Sequence, residues 1–448
     1  MERINLKEFV LDSIEIDSLD RINCFGNRIF NDLGELRFLN NHNINHIPDG
    51  FFSSLKNLKI IAFENNNLTR IDKTQFSDLA SIQKIYLRSN GIMFVDDESF
   101  RENQQLEIID LDDNRLRFLS SSIFSHQSSL DTLSIQNNQL ESLDVNFWIS
   151  LGSLDFINLA FNRIVQLRRV HFQGADSVES IYLGLNQIEH IEDDTFSDCS
   201  SLYGLILFGN RLKSVTSKHF TGLKWLSNLD LGANRIETID DESFVDCIRL
   251  TLLHLGSNRL RNITRNAFKG LRRLNFLILE RNQIEFSDYE AFSSIIRLIS
   301  LDLNSNRIRY ISKLESYLNF VHSAEIHLRS NPIEFIEEGS FDSINNIDGF
   351  IIMLNKTRLS NANSLNSRIH LCELKKIESM FITRMVVAVN FFDSIFVEDP
   401  TNGHNCSLLF FFYRKFKSFQ FNIKTIDDVE IYFRNCMDLS AIKLIDLC

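Results

Sequence analysis

The chain has 448 residues, yet only 3 are Pro and 16 are Gly, too little punctuation for several ordinary domains joined by linkers. Hydrophobic residues make up 44% and charged residues 24%, which excludes wholesale disorder and supplies a large core. Lys and Arg total 47 against 59 Asp and Glu, and the net charge of -12 would repel a nucleic-acid backbone.

Residues 1–33 show no period and are expected to form an N-terminal cap, with SIEIDSLDRI (13–22) supplying a strand that covers the sheet edge. The opening MERINLKEFV lacks the charged segment, apolar run and small-residue cleavage site of a secretory signal. From residue 34 the chain repeats. Asn stands at 66, 90, 114, 138, 162, 186, 210, 234, 258, 282 and 306, an interval of 24 held ten times in succession. A step of 25 gives Asn331, a further 24 gives Asn355, and stepping back 24 from Asn66 reaches His42 as a degenerate first copy, about fourteen repeats in all. A parallel series of Phe52, Phe76, Phe100, Phe124, Trp148, Phe172, Phe196, Phe220, Phe244, Phe268 and Phe292 accounts for much of the total of 39 Phe.

Around each Asn the apolar positions are fixed, as in Leu226, Leu229, Leu231, Asn234, Ile236 and Ile239. In the L-x-L core of this motif the two Leu share one face, the period of a short strand, expected from six to two residues before each Asn. The Asn then falls where the chain must turn, and its amide can satisfy backbone groups that the turn would bury unpaired. One such coil cannot bury its own apolar side, so stability must come from stacking. The chain resembles the leucine-rich repeat family, in its 24-residue form with a Phe in the convex segment, over residues 34–358. The resemblance implies an α/β solenoid: a curved array with a parallel concave sheet, a spine of stacked Phe and a mostly irregular convex side. Fourteen strands would span an arc of roughly 65 Å, a surface for a protein-sized partner.

The segment KLESYLNFVHS (313–323) interrupts the pattern with Ser316 at the Phe position, which predicts a local bulge or helical turn on the convex side. Residues 359–448 are expected to form a C-terminal capping region. Its most apolar stretch, 380–397, carries Arg384, Asn390 and Asp393, so no membrane span is expected. The tail resembles the cysteine-bearing cap of extracellular members, although Cys406 stands alone where a C-x-C is usual. That resemblance implies disulfides among Cys406, Cys436 and Cys448, with Cys372 a further candidate, and it implies an extracellular or cell-surface location. Of the 7 Cys, Cys199 and Cys247 occupy the same apolar slot two coils apart, about 10 Å, too far to bridge, and are expected to be buried thiols. Cys24 has no evident partner. Sequons occur at Asn67, Asn262, Asn355 and Asn405, and Asn67 and Asn262, just past the strands, are the glycosylation candidates.

Phosphate-binding, zinc-protease and nucleophile-elbow motifs are absent from the sequence, and no catalytic residue, metal or cofactor is expected. His42 and His46 lie across a turn rather than on a helix face. The acidic runs VDDESF (95–100), IEDDTF (191–196) and IDDESF (239–244) share one offset before Phe and are read as openings of convex turns. Asp230 beside His254 and Asp302 beside His327 are read as cross-strand hydrogen-bonding pairs.

The strand residues six, four and two before each Asn should point out of the concave face. From the sixth strand these include Phe156, Tyr182, Ile206, Phe208, Leu252, Phe276 and Ile278, expected as an exposed partner-binding patch with Gly184, Gly204, Gly232 and Gly256 between the anchors. Asp110 and Asp112 are expected as secondary charged contacts that steer association. The expected function is non-catalytic recognition of a protein ligand or receptor, with a homodimer as a further partner state. The alternatives are an accessory subunit of a secreted enzyme and an intracellular adaptor or inhibitor.

Overall fold

The computed structural model describes residues 6–353 apart from 15, 17, 22–29, 146, 286–288, 312–319, 334 and 337–350. These lie in the first of two units, Met1–Ile382; the second, Thr383–Cys448, falls outside the described residues, as do Cys24, Cys372, Cys406, Cys436, Cys448, Asn355 and Asn405.

Each L-x-L core forms a short strand, and successive coils lay these strands side by side into one fifteen-stranded parallel sheet that follows chain order. The strands proper are three residues long in most coils, as in Phe156–Asn158, Ser180–Tyr182 and Gly204–Ile206, shorter than the span read from the sequence. Backbone bonds nevertheless continue the ladder on both sides: Leu159 N donates to Tyr182 O (2.8 Å) after the strand, and Glu179 N to Asp155 O (2.9 Å) before it. Register is strict, with Leu205 opposite both Ile181 and Leu229, so the inward leucines form continuous rows. Among the described residues no helix is long and apolar enough to cross a membrane.

The turn after each strand is set by the ladder asparagine. Asn210 Nδ2 donates to Leu183 O (2.9 Å) in the preceding coil and Leu207 O (3.0 Å) in its own, while Oδ1 accepts from Ile188 N (2.9 Å). The residue before each ladder Asn takes a left-handed conformation, even where it is Phe161 or Leu185 (φ 55 for both). Such a conformation costs about 1 to 2 kcal/mol for a residue with a side chain, and the buried amide bonds hold it in place.

The first coil departs from the sequence reading. Its ladder position is filled by Asn41, not His42: Asn41 is fully buried, and its amide donates to Leu11 O (2.9 Å) and Leu39 O (2.7 Å). The step to Asn66 is therefore 25 residues, matching the pairing of Glu35 with Ile60. The extra residue follows Asn41 directly, turns Ile44 N onto Asn41 O (3.0 Å), and leaves Asn66 Oδ1 without a hydrogen-bond partner. The edge strand is also displaced. Glu8–Asp12, rather than SIEIDSLDRI, pairs with Glu35–Leu39, because Phe9 and Leu11 alternate inward onto the core. At the far end, Phe320–His327 is an eight-residue strand whose register shifts between Leu298 and Ser300, so the irregularity described is a bulge in the concave sheet, where the sequence reading put it on the convex side; residues 312–319 lie outside the described residues.

On the convex side the Phe rings stack coil on coil, with centroids 5.8 Å apart for Phe220 and Phe244 and 5.9 Å for Phe268 and Phe292. Trp148 continues the column onto Phe172, with Phe147 edge-on beside it. Among the described residues four two-stranded ladders, such as Ser214–Val215 with Thr238–Ile239, join neighbouring coils between the ladder Asn and the spine. The acidic runs open tight turns in which Ser99, Thr195 and Ser243 hydroxyls donate to backbone carbonyls three residues earlier.

Candidate functional site on the concave face

Strand alternation puts the predicted side chains on the concave surface, since the residues between them, Ile157, Ile181, Leu205, Leu229, Leu253 and Leu277, are wholly buried. Phe156, Tyr182, Ile206, Phe208, Leu252 and Phe276 are half-buried rather than exposed, and Ile278 is buried at 9%. Curvature explains the difference: side chains on the inner wall of a bend converge on their cross-strand neighbours. Ile278 lies between His254 and Asp302 across the register and is enclosed by them, which removes it as an anchor.

The apolar residues do not form a single patch. Phe156 packs edge-on against Tyr182 (ring centroids 5.0 Å apart), and Tyr182 lies opposite Ile206. Leu252 and Phe276 form a second lobe. Between them runs the polar strand Asn228–Asp230, in which the Asn228 side chain is 2% exposed and has no hydrogen-bond partner.

The His254 imidazole crosses this strip. Its Nδ1 lies 2.9 Å from Asp230 Oδ1, and its ring stacks on Phe208 with centroids 6.3 Å apart. Gly232 and Gly256 make that possible, since a Cβ on either would meet the ring at 2.5 and 2.8 Å. Burial opposes protonation of His254, but the Asp230 carboxylate, with Glu280 and Asp302 nearby, raises its pKa above the ordinary imidazole value. Burial and then mutual repulsion push the Glu280 carboxyl up, and burial raises Asp302. Asp302 and His327 are register partners in the next pair of strands.

Asp110 and Asp112 overturn the expectation of exposed steering charges, each being only 7% exposed. Asp112 accepts from Ser134 Oγ and Gln136 N, both at 2.6 Å, and Asp110 accepts from Asp112 N at 2.9 Å. Their pKa values are raised, chiefly by burial and, for Asp110, by the neighbouring carboxylate. They hold the fold of this stretch of sheet. Sequence reasoning missed a recurrent bond here: the Asp or Asn four residues before a ladder Asn accepts the backbone N–H two residues on, as in Asp230 to Gly232 (2.8 Å), Asp302 to Asn304 (2.9 Å) and Asn158 to Ala160 (3.1 Å). The signal was an Asx at one fixed offset.

Elsewhere, Asn67 and Asn262 are exposed, and Cys199 and Cys247 are buried free thiols. His42 and His46 are exposed, with His46 Nε2 3.5 Å from Asp20.

Among curated proteins none matches the chain. Solved structures match it as a fold. A leucine-rich repeat protein of Leptospira interrogans aligns over 79% of this chain and 85% of its own, at 23% identity and a TM-score of 0.64. Toll of Drosophila, solved in complex with Spatzle, aligns over 69% of this chain and 49% of its own, at 22% identity and a TM-score of 0.57. TLR13 in its complex with ssRNA13 aligns over 77% and 57%, at 19% identity and a TM-score of 0.56. The chain thus spans only about half the length of these two receptor chains. The Leucine rich repeat family model matches in six overlapping blocks: 33–92, 82–140, 104–164, 152–212, 200–260 and 224–284. With the asparagine ladder, the inward leucine rows and more than half of the sequence matched, the chain belongs to the leucine-rich repeat family.

Proposed function

We propose that this protein is a non-catalytic recognition molecule, secreted or displayed at the cell surface, that binds a protein partner on its concave sheet. The observation that carries the reading is the pair of apolar lobes, Phe156, Tyr182, Ile206 and Phe208 on one side and Leu252 and Phe276 on the other, flanking the Asn228–Asp230 strip. Half-buried aromatic anchors around a polar strip suit a structured protein segment, since anchors supply affinity and the strip supplies specificity. The net charge of -12 and the concave-face carboxylates of Asp230, Glu280 and Asp302 argue against a phosphate backbone in the same place. The extracellular location rests on the 24-residue Phe-spine pattern and on the cysteines of residues 359–448, and exposed sequons at Asn67 and Asn262 are compatible with it.

The test is a binding screen of the whole protein against a displayed library of ectodomains and secreted proteins, repeated with Tyr182→Ala and Phe208→Ala. Each substitution should weaken a concave-face partner by about 1 to 3 kcal/mol. A partner held with unchanged affinity by the double variant binds elsewhere, and the reading fails.

A further inference from the structure

Each coil approaches its strand through a buried apolar residue, as at Val178, Leu226, Leu250, Leu274 and Leu298, and the residues flanking it line the leading rim of the solenoid, exposed at Asp131, Trp225, Arg273 and Arg297 and buried at Ser227. The residue just after the apolar one stands in an unbroken backbone ladder along this rim: Asp131 N donates to Glu107 O (2.9 Å), Tyr203 N to Glu179 O (2.8 Å), Asn275 N to Thr251 O (2.9 Å) and Ile299 N to Asn275 O (2.7 Å). Side chains touch along the same line, Gln83 Nε2 reaching Glu107 Oε1 at 3.2 Å and the Ser227 and Thr251 hydroxyls meeting at 2.9 Å. The residue before the leucine is part of the rim too, since Asn275 Nδ2 donates to Arg297 O at 2.9 Å.

Charge is segregated along this rim. Glu107, Asp131, Asp155 and Glu179 occupy four successive coils. Arg249, Arg273 and Arg297 occupy three later ones, with Lys224 and Arg272 beside them. The coils with the acids carry neutral residues at the arginine position (Gln105, Ser129, Ser153, Ser177), and the coils with the arginines carry Thr251, Asn275 and Ile299 at the acidic position. Nearby ion pairs engage other bases (Arg259 with Glu237, Lys269 with Glu242, Arg307 with Glu285), and Arg272, Arg273 and Arg297 make none among the described residues. The centres of the two halves lie about five coils, or about 24 Å, apart, beyond the ~8 Å over which charges act in physiological salt, so they do not neutralise each other within one molecule. Between them stand Tyr203, 47% exposed, and Trp225, 52% exposed, the latter with the Arg249 guanidinium 3.4 Å from its ring centroid.

We propose that the leading rim is an isologous dimer interface in which a second copy of this chain docks antiparallel, with the twofold axis at the Tyr203 coil. Reversal about that coil opposes Asp155 to Arg249, Asp131 to Arg273 and Glu107 to Arg297, and sets Glu179 against Trp225 and Lys224. The match holds coil by coil because each pair lies equally far from Tyr203 in opposite directions, as an isologous contact requires. The two exposed aromatics fall at the centre, where anchors count most. A strip from the Glu107 coil to the Arg297 coil is about 40 Å long, enough for a buried area of order 1,000 Å2. The axis runs from concave to convex side, so both concave faces open in one direction. This inference is independent of what those faces bind.

Sedimentation velocity on the whole chain tests it, at rising protein concentration and at low and high salt. A dimer that dissociates with salt is expected. Arg273→Glu and Asp131→Lys should each weaken it at least tenfold while leaving the unfolding midpoint unchanged. An equimolar mixture of these two variants should dimerise again, because in the mixed dimer one contact keeps the native pair and the other has both charges exchanged. A folded wild-type chain that is monomeric at about 0.1 mM in low salt overturns the proposal. So does a dimer indifferent to both reversals, or a mixture that fails to recover. A monomer whose Arg273 and Arg297 instead retain a heparin fragment overturns it in favour of a polyanion.

Discussion

His254 reaches the Asp230 carboxylate across 2.9 Å only because Gly232 and Gly256 leave its ring the space a side chain would fill. Gly232→Ala would bring a Cβ within 2.5 Å of the ring, so the imidazole must leave Asp230 or the strands must part. The expected cost is about 1 to 3 kcal/mol, with the His254 pKa falling toward that of a free imidazole. Denaturant unfolding and an NMR titration of the ring read both, and a variant with wild-type stability and titration would contradict the packing.

Asn210→Ala removes three donated bonds and one accepted bond: Ile188 N is left unpaired in the interior, while Leu183 O and Leu207 O keep only the amides of Asn186 (3.1 Å) and Asn234 (3.0 Å). With the unpaired N–H costing about 1 to 3 kcal/mol and each weakened carbonyl adding about 0.5 to 1 kcal/mol, the loss should reach about 2 to 4 kcal/mol and expose the coil to hydrogen exchange. Full protection of Ile188 N–H in the variant would show that the amide is dispensable.

The convex spine should respond like any close-packed core. Phe196 is fully buried, with its ring centroid 4.9 Å from that of Phe172. Phe196→Ala should cost about 3 to 5 kcal/mol by cavity formation, measured by urea unfolding. A loss under about 1 kcal/mol would mean that the rings bear little of the stability.

His219 gives the array an acid limit. Its Nδ1 accepts from Thr216 N at 3.3 Å, and burial lowers its pKa to about 4. In the unfolded chain the imidazole titrates near 6.5, so protons favour unfolding: the stability it supports is whole above about pH 6.5 and is lost as pH falls toward 4. Gln75 does the same work in an earlier coil, accepting from Asp72 N at 3.0 Å, and shows which replacement fits. His219→Gln should gain about 1 to 3 kcal/mol on wild type between pH 6.5 and 4. Parallel stability curves over that interval would exclude His219 as the acid-sensitive group.

Cys199 and Cys247 should resist alkylation in the native protein and react on unfolding, since burial raises both thiols, Cys247 to about 12. Timed labelling with iodoacetamide followed by peptide mapping checks this. Labelling within minutes under native conditions would place the thiols at the surface.

The sheet was legible because its determinants repeat: an inward Leu, an outward residue and a turn Asn recur at one interval, and repetition separates signal from local noise. Departures from the interval were harder. Two adjacent polar residues, Asn41 and His42, compete for the first ladder site, and counting by 24 selects His42. Only the geometry of the Leu11 and Leu39 carbonyls shows that Asn41 takes it. The alternation correctly put Asp110 and Asp112 on the concave wall but gave no measure of how far curvature would bury them. Of the polar strip at Asn228–Asp230 the neighbouring strands gave the Asp230–His254 pair, but not the buried Asn228 amide, since alternation fixes a face and not the depth of burial on it.

The two 25-residue steps show where a coil can lengthen. In the first, the added residue sits directly after the ladder position, and an acceptor on Asn66 loses its bond. In the step from Asn306 to Asn331, Ile308 N still reaches Asn331 Oδ1 at 3.1 Å, so the added residue lies farther along the coil and the ladder stays whole. Chain length is therefore fixed where the coil leaves its ladder Asn and variable farther along, the later coil taking up its excess at the entry to its strand, between Phe320 and Glu325. A peptide tag grafted between Ile311 and Phe320 should be tolerated, whereas one residue added after Asn210 should disrupt the neighbouring coils.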